Sequence, residues 1–249
     1  MDLLTILSGN DIPFVKGGFV IHQPTIKEIA LIGEESFYTG CEFLRFSKEL
    51  LNDEDKNNLK DKTDFDILMI ILQEKNNVSI KGRICLELVF SLIFPSYKVR
   101  IESDKILLSK DENEQYVLDN SNFIDFKEII NEIFCLKQSN DKEYNPAGDM
   151  AKKISEKLKN RHKKLAQLKN ETNINNILGR FVSILAVGES KDMNNLFNYT
   201  IYQLFDEHKR YSLKLSHDLM IQAKLAGAKQ DEKVENWMED IHSTKEENK

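Results

Sequence analysis

The stretch Thr200–Ala228, TIYQLFDEHKRYSLKLSHDLMIQAKLAGA, is the longest uninterrupted helical pattern in the chain. Residues at steps of three and four fall on one side of a helix, and here they are Ile201, Leu204, Phe205, His208, Ser212, Leu215, Leu219 and Ala223. Further apolar residues widen this surface, which is typical of a helix packed between neighbours. Thr200 or Asn198 is expected to cap the start, and Gly227 is expected to end the helix. The pattern predicts a core helix of an α-helical domain.

Composition limits the classes of protein to consider. The 249 residues are enough for one large or two small domains, and 41% hydrophobic with 31% charged residues indicates a globular, soluble chain. The net charge of −6 disfavours bulk attraction to nucleic acid or to an anionic membrane. The most apolar run, Ile84–Phe94, is too short to span a bilayer. The N-terminal residues lack the pattern of a secretory signal.

Catalytic and metal-binding patterns are missing from the sequence. The scattered cysteines Cys41, Cys85 and Cys135 are expected to be unpaired thiols in a reducing compartment. His208 and His217 are nine residues apart, so they do not share a helix face as zinc ligands would. The motifs GxGxxG, GxxxxGK and GxSxG are absent. We therefore expect no metal, no cofactor and no enzymatic activity.

The first residues combine short strands with helices. A strand pair is expected over Phe14–Ile21, with its turn at Gly17-Gly18. Pro24 is expected in the first turn of the next helix, where its missing N–H costs nothing. A further helix is expected over Glu35–Leu51.

Two strongly apolar helices are expected after a polar loop over residues 52–62. Thr63 or Asp64 is expected to cap the first, FDILMIILQ. Ser79 is expected to cap the second, KGRICLELVFSLIF, which stops at Pro95. Because both are apolar nearly all round, they should form the centre of the first domain.

The apolar period then changes from that of a helix to that of a strand. Tyr97, Val99 and Ile101 alternate with polar residues, and two further apolar runs reach Leu118 between turn-like separators. This pattern predicts a small antiparallel β meander. Asn122 is expected to cap the helix that follows.

A domain boundary is expected at the polar segment Ser139–Asn145, which ends in Asn-Pro. We therefore predict a mostly α-helical protein in two parts: an α+β domain over residues 1–138 and a helical domain over residues 146–242. Residues 139–145 would form the linker, and residues 243–249 a disordered polar tail.

A basic helix is expected at the start of the second part, over Ala147–Lys169. Its cations could bind a polyanion, since each phosphate contact releases counterions, and the candidates are Lys152, Lys153, Lys157, Arg161 and Lys164. The alternative is a solvated face opposite an acidic partner or an acidic region of the same chain. No aromatic residue is interleaved for base stacking, which makes nucleic acid an unlikely partner.

The second half resembles a known family. It has a basic helix opened by Asn-Pro, then SILAVGES, then a TIYQLFDEHKRY helix that ends in AKLAGAK, and finally ENWMEDI. This order is similar to that of the tail assembly chaperones of bacteriophages that infect Gram-positive bacteria. The similarity covers roughly residues 143–242. His208 stands where the family pattern has an apolar or aromatic residue.

The resemblance implies a helper protein in the cytoplasm of the host bacterium. Such chaperones bind the tape measure protein, cover its apolar stripe and help to recruit tail tube protein, without a cofactor or a membrane. Self-association is a further hypothesis. The residues expected to contact a partner are Tyr202, Phe205, Tyr211, Leu215, Trp237 and Met238.

Two other functions stay open from the sequence. The first is a structural tail or baseplate component that is retained in the virion. The second is a nucleic-acid-binding regulator that uses the basic helix, whose affinity would fall steeply with salt.

The last apolar pattern, Val234, Trp237, Met238 and Ile241, forms one stripe at i, i+3, i+4 and i+7. A helix this short is not stable alone, so it must dock. One hypothesis is that it packs on its own domain, with Trp237 on the end of the Thr200–Ala228 helix. The other is that it is mobile and shares a groove with the client helix.

Overall fold

The computed structural model of the chain describes residues 1–48, 59–74, 77–111, 114–136, 176–227 and 237–238. These residues contain nine α-helices and two small antiparallel sheets, both of which lie in the first half. The predicted class, a mostly α-helical protein with a small β meander, is confirmed.

The described elements mix helices and short strands before residue 137, and those in residues 176–227 are all helices. The helices of the first half are α1 (Leu3–Leu7), α2 (Ile26–Ile32), α3 (Glu34–Arg45), α4 (Asp64–Gln73), α5 (Asn77–Ile93) and α6 (Phe123–Ile133). Its strands are β1 (Ile12–Phe14), β2 (Phe19–Ile21), β3 (Lys98–Ile101), β4 (Ile106–Ser109) and β5 (Gln115–Leu118). The second half contains α7 (Ile177–Gly188), α8 (Met193–Phe197) and α9 (Ile201–Leu225).

The strand pair predicted over Phe14–Ile21 is the β1–β2 hairpin. Phe14 pairs with Phe19, so the loop has four residues and not the two glycines alone. The Gly17 and Gly18 amides both donate to the Phe14 carbonyl, at 3.2 and 2.9 Å. Gly18 has φ +72°, a left-handed conformation that costs glycine little.

The predicted meander is a three-stranded sheet in the order β3-β4-β5. Leu108 lies opposite Val99 on one side and Tyr116 on the other. Alternate residues point inward, and Ile106, Leu108 and Leu118 are fully buried.

Two predicted helix boundaries are wrong, the first because a local cap sets the helix start and the second because distant residues set the helix end. Pro24 lies outside α2, since Thr25 is its N-cap and forms a capping box with Glu28. The helix expected to reach Leu51 ends at Arg45. There the Lys127 ammonium donates to the Phe46 carbonyl and pairs with Asp64, which holds the chain out of the helix.

The caps of the later helices are partly as expected. Thr63 caps α4 in a capping box with Asp66, which confirms the first prediction. Ser79 does not cap α5, because that helix already begins at Asn77 and the Ser79 hydroxyl reaches the Glu74 carboxylate at 3.5 Å. Asn122 stands at the start of α6, but its side-chain amide donates to the Val117 carbonyl and so holds the turn after β5.

One hydrophobic core runs through the described residues. Helices α3 and α5 approach closely at Gly40, where a Cβ would lie 2.5 Å from the Cys85 carbonyl oxygen. Residues of the second half join the same core, among them Leu178, Leu185 and Leu204. The Glu34 carboxylate accepts from the first amides of α7, which ties the two halves together.

The three cysteines are unpaired, as predicted. Cys41 and Cys85 are buried in the core, whereas Cys135 is half-buried just after α6. The predicted linker at Ser139–Asn145, the basic helix and the tail at residues 243–249 lie outside the described residues, so the division into two parts there stays a prediction.

Candidate partner-binding surface

The start of α9 is anchored on the first half of the chain. Thr200 and Gln203 form the capping box, in which the Gln203 amide donates to the Thr200 hydroxyl at 3.3 Å and the Thr200 amide donates to the Gln203 side chain at 2.9 Å. The Gln203 side chain also donates to the Leu7 carbonyl at 2.7 Å. The predicted Thr200 cap is therefore confirmed, and its partner also fixes α9 to α1.

The first turn of α9 is buried. Ile201 and Leu204 are inaccessible, and Tyr202 is only 9% exposed. Tyr202, which the sequence suggested as a partner-binding residue, lies in the core of the protein itself. Its ring does not belong to the surface.

The next two turns of α9 are covered by α7. Phe181 of α7 contacts Phe205 edge to face, with centroids 4.9 Å apart, and stacks on His208 at 3.8 Å. Burial lowers the pKa of His208, so its imidazole favours the neutral form. The imidazole therefore packs as an aromatic ring in the interface between α7 and α9.

The cover ends at Gly188, the last residue of α7. A Cβ on Gly188 would lie 2.2 Å from the hydroxyl oxygen of Tyr211, so the Tyr211 ring lies directly against the glycine. Glycine permits this approach because it has no side chain. From Ser212 onward the same side of α9 continues beyond the end of α7.

That continuation is an exposed stripe of leucines and small residues. We define the exposed stripe as Ser212, Leu215, Ser216, Leu219, Ala223 and Ala226, which share one side at 100° per residue. Leu215 is 47% and Leu219 57% exposed. Among the parts of the chain that the structure describes, no element covers them. Among the described residues, the packing between neighbours that was predicted for the whole helix is seen over its first half.

The opposite side of α9 forms a groove with Trp237. The cavity measures ≈ 540 Å³ and is lined by Leu7, Glu189, Tyr199, Gln203, Asp206, Glu207, Arg210, Tyr211, Lys214 and Trp237. Trp237 is half-buried beside the first half of α9, not at its end, and Met238 is 68% exposed.

Ion pairs stabilise this groove. Lys191 pairs with Glu189 and Glu207 and donates to the Tyr199 hydroxyl at 3.3 Å. Burial alone would lower the pKa of Lys191, but the bonds to Glu207 and Tyr199 outweigh it and raise the pKa. Arg210 pairs with Asp206 one turn away at 3.3 Å. The ion pairs of Lys191 and Arg210 therefore stabilise the walls of the groove.

The structure separates the six residues suggested for partner binding. Tyr202 and Phe205 pack inside, Tyr211 and Trp237 line the groove, and Leu215 lies on the exposed stripe. Met238 is exposed next to Trp237. Sequence reasoning placed Leu219 on the apolar side of α9 but did not select it, because periodicity alone does not show where a covering helix ends.

Other predicted sites gain no support here. The proposed polyanion site at Lys152, Lys153, Lys157, Arg161 and Lys164 lies outside the described residues. Within those residues, no group of three or more His, Cys, Asp and Glu side chains could hold a metal. No described helix combines the length and the apolar character that crossing a membrane requires.

Comparison with known proteins gives one result. Residues 164–242 match the family described as the YomV second domain, which suggests a phage-derived protein family without specifying tail assembly. The matched region contains α7, α8 and α9 and extends past Trp237. No curated protein and no solved structure matches the chain.

Proposed function

We propose that this protein is a bacteriophage tail assembly chaperone that binds an amphipathic helix of the tape measure protein. Its site would be the exposed stripe of α9, and its action would take place in the host cytoplasm, where it would also help to bring tail tube protein to the growing tail. The proposal includes neither a catalytic activity nor a cofactor.

The proposal rests mainly on one observation: α7 packs against one side of α9 over its first half and does not reach the rest of that side. α7 packs on Phe205 and His208, but Leu215 and Leu219 continue the same side without a described neighbour. Exposed leucines on one side of a helix form a surface that an amphipathic client helix can recognise. The segment from Ser212 to Leu225 is about 21 Å long at 1.5 Å per residue, which accommodates about four helical turns of a client.

Two further observations support the assignment to a phage. The match to the YomV second domain covers the helices that build this surface. The order of motifs in the second half resembles the tail assembly chaperones, and the helix that carries TIYQLFDEHKRY is α9 itself. Tape measure proteins are long helical proteins with apolar stripes, so they present the required chemistry.

The proposal is tested by expressing the tape measure protein of the same phage with and without this chain. We expect the tape measure protein to be soluble only in the presence of the chain and to co-purify with it. Analysis of the proteins in purified phage particles distinguishes a chaperone from a structural component. A stoichiometric amount of this chain in the particle would indicate a structural tail or baseplate component instead.

A further inference from the structure

We infer that the exposed stripe of α9 pairs with the same stripe on a second copy of this chain, so that the protein alone forms a weak antiparallel dimer. The inference goes beyond the proposed function, because it describes the chain in the absence of any client. In the proposed function, a client helix would take the place of the second copy.

The order of large and small residues along the stripe favours pairing between two copies. If two α9 helices pair antiparallel with Leu219 facing its own counterpart, Leu215 of one copy faces Ala223 of the other. In the same register, Ser212 of one copy faces Ala226 of the other. In this register each Leu215 meets a small residue, the Ser212–Ala226 pair is small on both sides, and the central leucines are the large pair, so the two helices can approach closely.

The charged residues in this part of α9 lie away from the stripe. Between Ser212 and Ala226 the charged residues are Lys214, Asp218 and Lys224, and all three lie on the sides or the back of the helix relative to the stripe. No charge has to lose its hydration when the stripes meet. In an isologous pair, each stripe buries the same residues as the other, which is the symmetry that most homodimers have.

The expected interface between the two stripes is small, so the dimer should be weak. The stripe spans about four turns, so two of them bury less than the roughly 1,200 Å² at which specific, stable interfaces begin. We therefore expect a dissociation constant roughly in the micromolar range or weaker, and rapid exchange. A surface that later receives a client needs this weak protection, because a tight dimer would block it.

The test is analytical ultracentrifugation of the full chain without a client, over concentrations from well below to well above the micromolar range. We expect a monomer–dimer equilibrium. Leu219→Asp should weaken dimerisation at least about tenfold, because it places two carboxylates opposite each other in an apolar contact. Leu31→Asp is the matched control, since Leu31 is 83% exposed on α2, and it should leave the equilibrium unchanged.

Disulfide trapping tests the register. Leu219→Cys should form a disulfide-linked dimer on mild oxidation, and a mixture of Ser212→Cys and Ala226→Cys proteins should cross-link to each other. Oxidation of the wild-type protein is the control, because it shows any cross-linking through the native cysteines Cys41, Cys85 and Cys135. A monomer at every concentration, a dimer that survives Leu219→Asp, or cross-linking of Ser212→Cys only with itself would overturn the inference.

Discussion

The imidazole of His208 lies flat on the ring of Phe181, with the ring centroids 3.8 Å apart and the planes inclined by 9°. This stack joins α7 to α9 one turn before the exposed stripe begins. One turn further along, the Tyr211 ring contacts Gly188 at the end of α7. What the stack does for stability depends on the charge of the histidine.

The stack predicts a pH dependence of stability. Burial lowers the pKa of His208 in the folded protein, so the unfolded chain binds this proton more readily. Stability from this group is complete above the unfolded histidine pKa of about 6.5 and decreases as the pH falls through that value toward the folded pKa. His208→Phe keeps an aromatic ring and removes the titration. The free energy of unfolding of wild type minus that of His208→Phe should therefore decrease from pH 7.5 to pH 5, whereas a constant difference would argue against the effect.

A second prediction concerns the carboxylate that caps α7. Glu34 accepts hydrogen bonds from the Ile177 amide at 2.6 Å and the Leu178 amide at 3.0 Å. A negative charge at a helix N-terminus is favourable, so Glu34→Gln should lower the free energy of unfolding by about 1 kcal/mol. The adjacent Glu35 forms a surface ion pair with Lys81, and Glu35→Gln should change stability very little. Equal losses in urea unfolding of the two variants would refute the capping role.

The two glycines of α7 should respond in opposite ways to alanine. Gly179 has open space around it, so Gly179→Ala should stabilise the protein by about 0.5–1 kcal/mol through helix propensity. Gly188→Ala places a Cβ against Tyr211 and must displace its ring, so we expect no gain and a net loss of up to about 1 kcal/mol.

The same pair of residues provides a control for this interpretation. In a Tyr211→Ala background, Gly188→Ala should stabilise the protein as Gly179→Ala does, because the clash is gone. Thermal unfolding of the four proteins of this cycle measures the coupling. If Gly188→Ala behaves identically with and without the tyrosine, the close approach of α7 and Tyr211 does not matter for stability.

A substitution of Trp237 distinguishes the two hypotheses for the last apolar stripe, which either packs on its own domain or is mobile and shares a groove with the client helix. Its side chain is half-buried in the groove beside α9, so Trp237→Ala should cost about 1–2 kcal/mol, less than the 3–5 kcal/mol of a fully buried tryptophan. Met238→Ala, at a residue 68% exposed, should stay within about 0.5 kcal/mol of wild type. An unchanged unfolding midpoint together with altered client binding would instead support the hypothesis that this segment is mobile and shares a groove with the client helix.

Local rules predicted much of the fold. The strand periodicity gave the meander, and the short polar residues Thr63 and Thr200 mark the helix starts because their caps need only the residues three positions later. The end of α3 could not be predicted in this way. It depends on Lys127 and Asp64, which are far from Phe46 in sequence.

The candidate site shows the same limit. The sequence placed Leu215 and Leu219 on the apolar side of a long helix, but periodicity is identical for a side covered by the protein itself and a side left for a partner. In the described structure, α7 ends at Gly188, and the part of α9 beyond that point is the part that α7 does not cover. The stacking of His208 was also unpredictable, because it depends on where Phe181 lies in space.

The most direct test of the account is calorimetric titration of a helical tape measure fragment into wild-type protein, Leu215→Asp and Leu31→Asp. Leu215 lies on the exposed stripe and Leu31 on a separate helix, and both side chains are accessible, so neither change should unfold the protein. We predict that Leu215→Asp binds at least about tenfold more weakly, a loss of about 1.4 kcal/mol, while Leu31→Asp binds like wild type. Equal affinity of all three proteins for the fragment would contradict the claim that α9 holds the client.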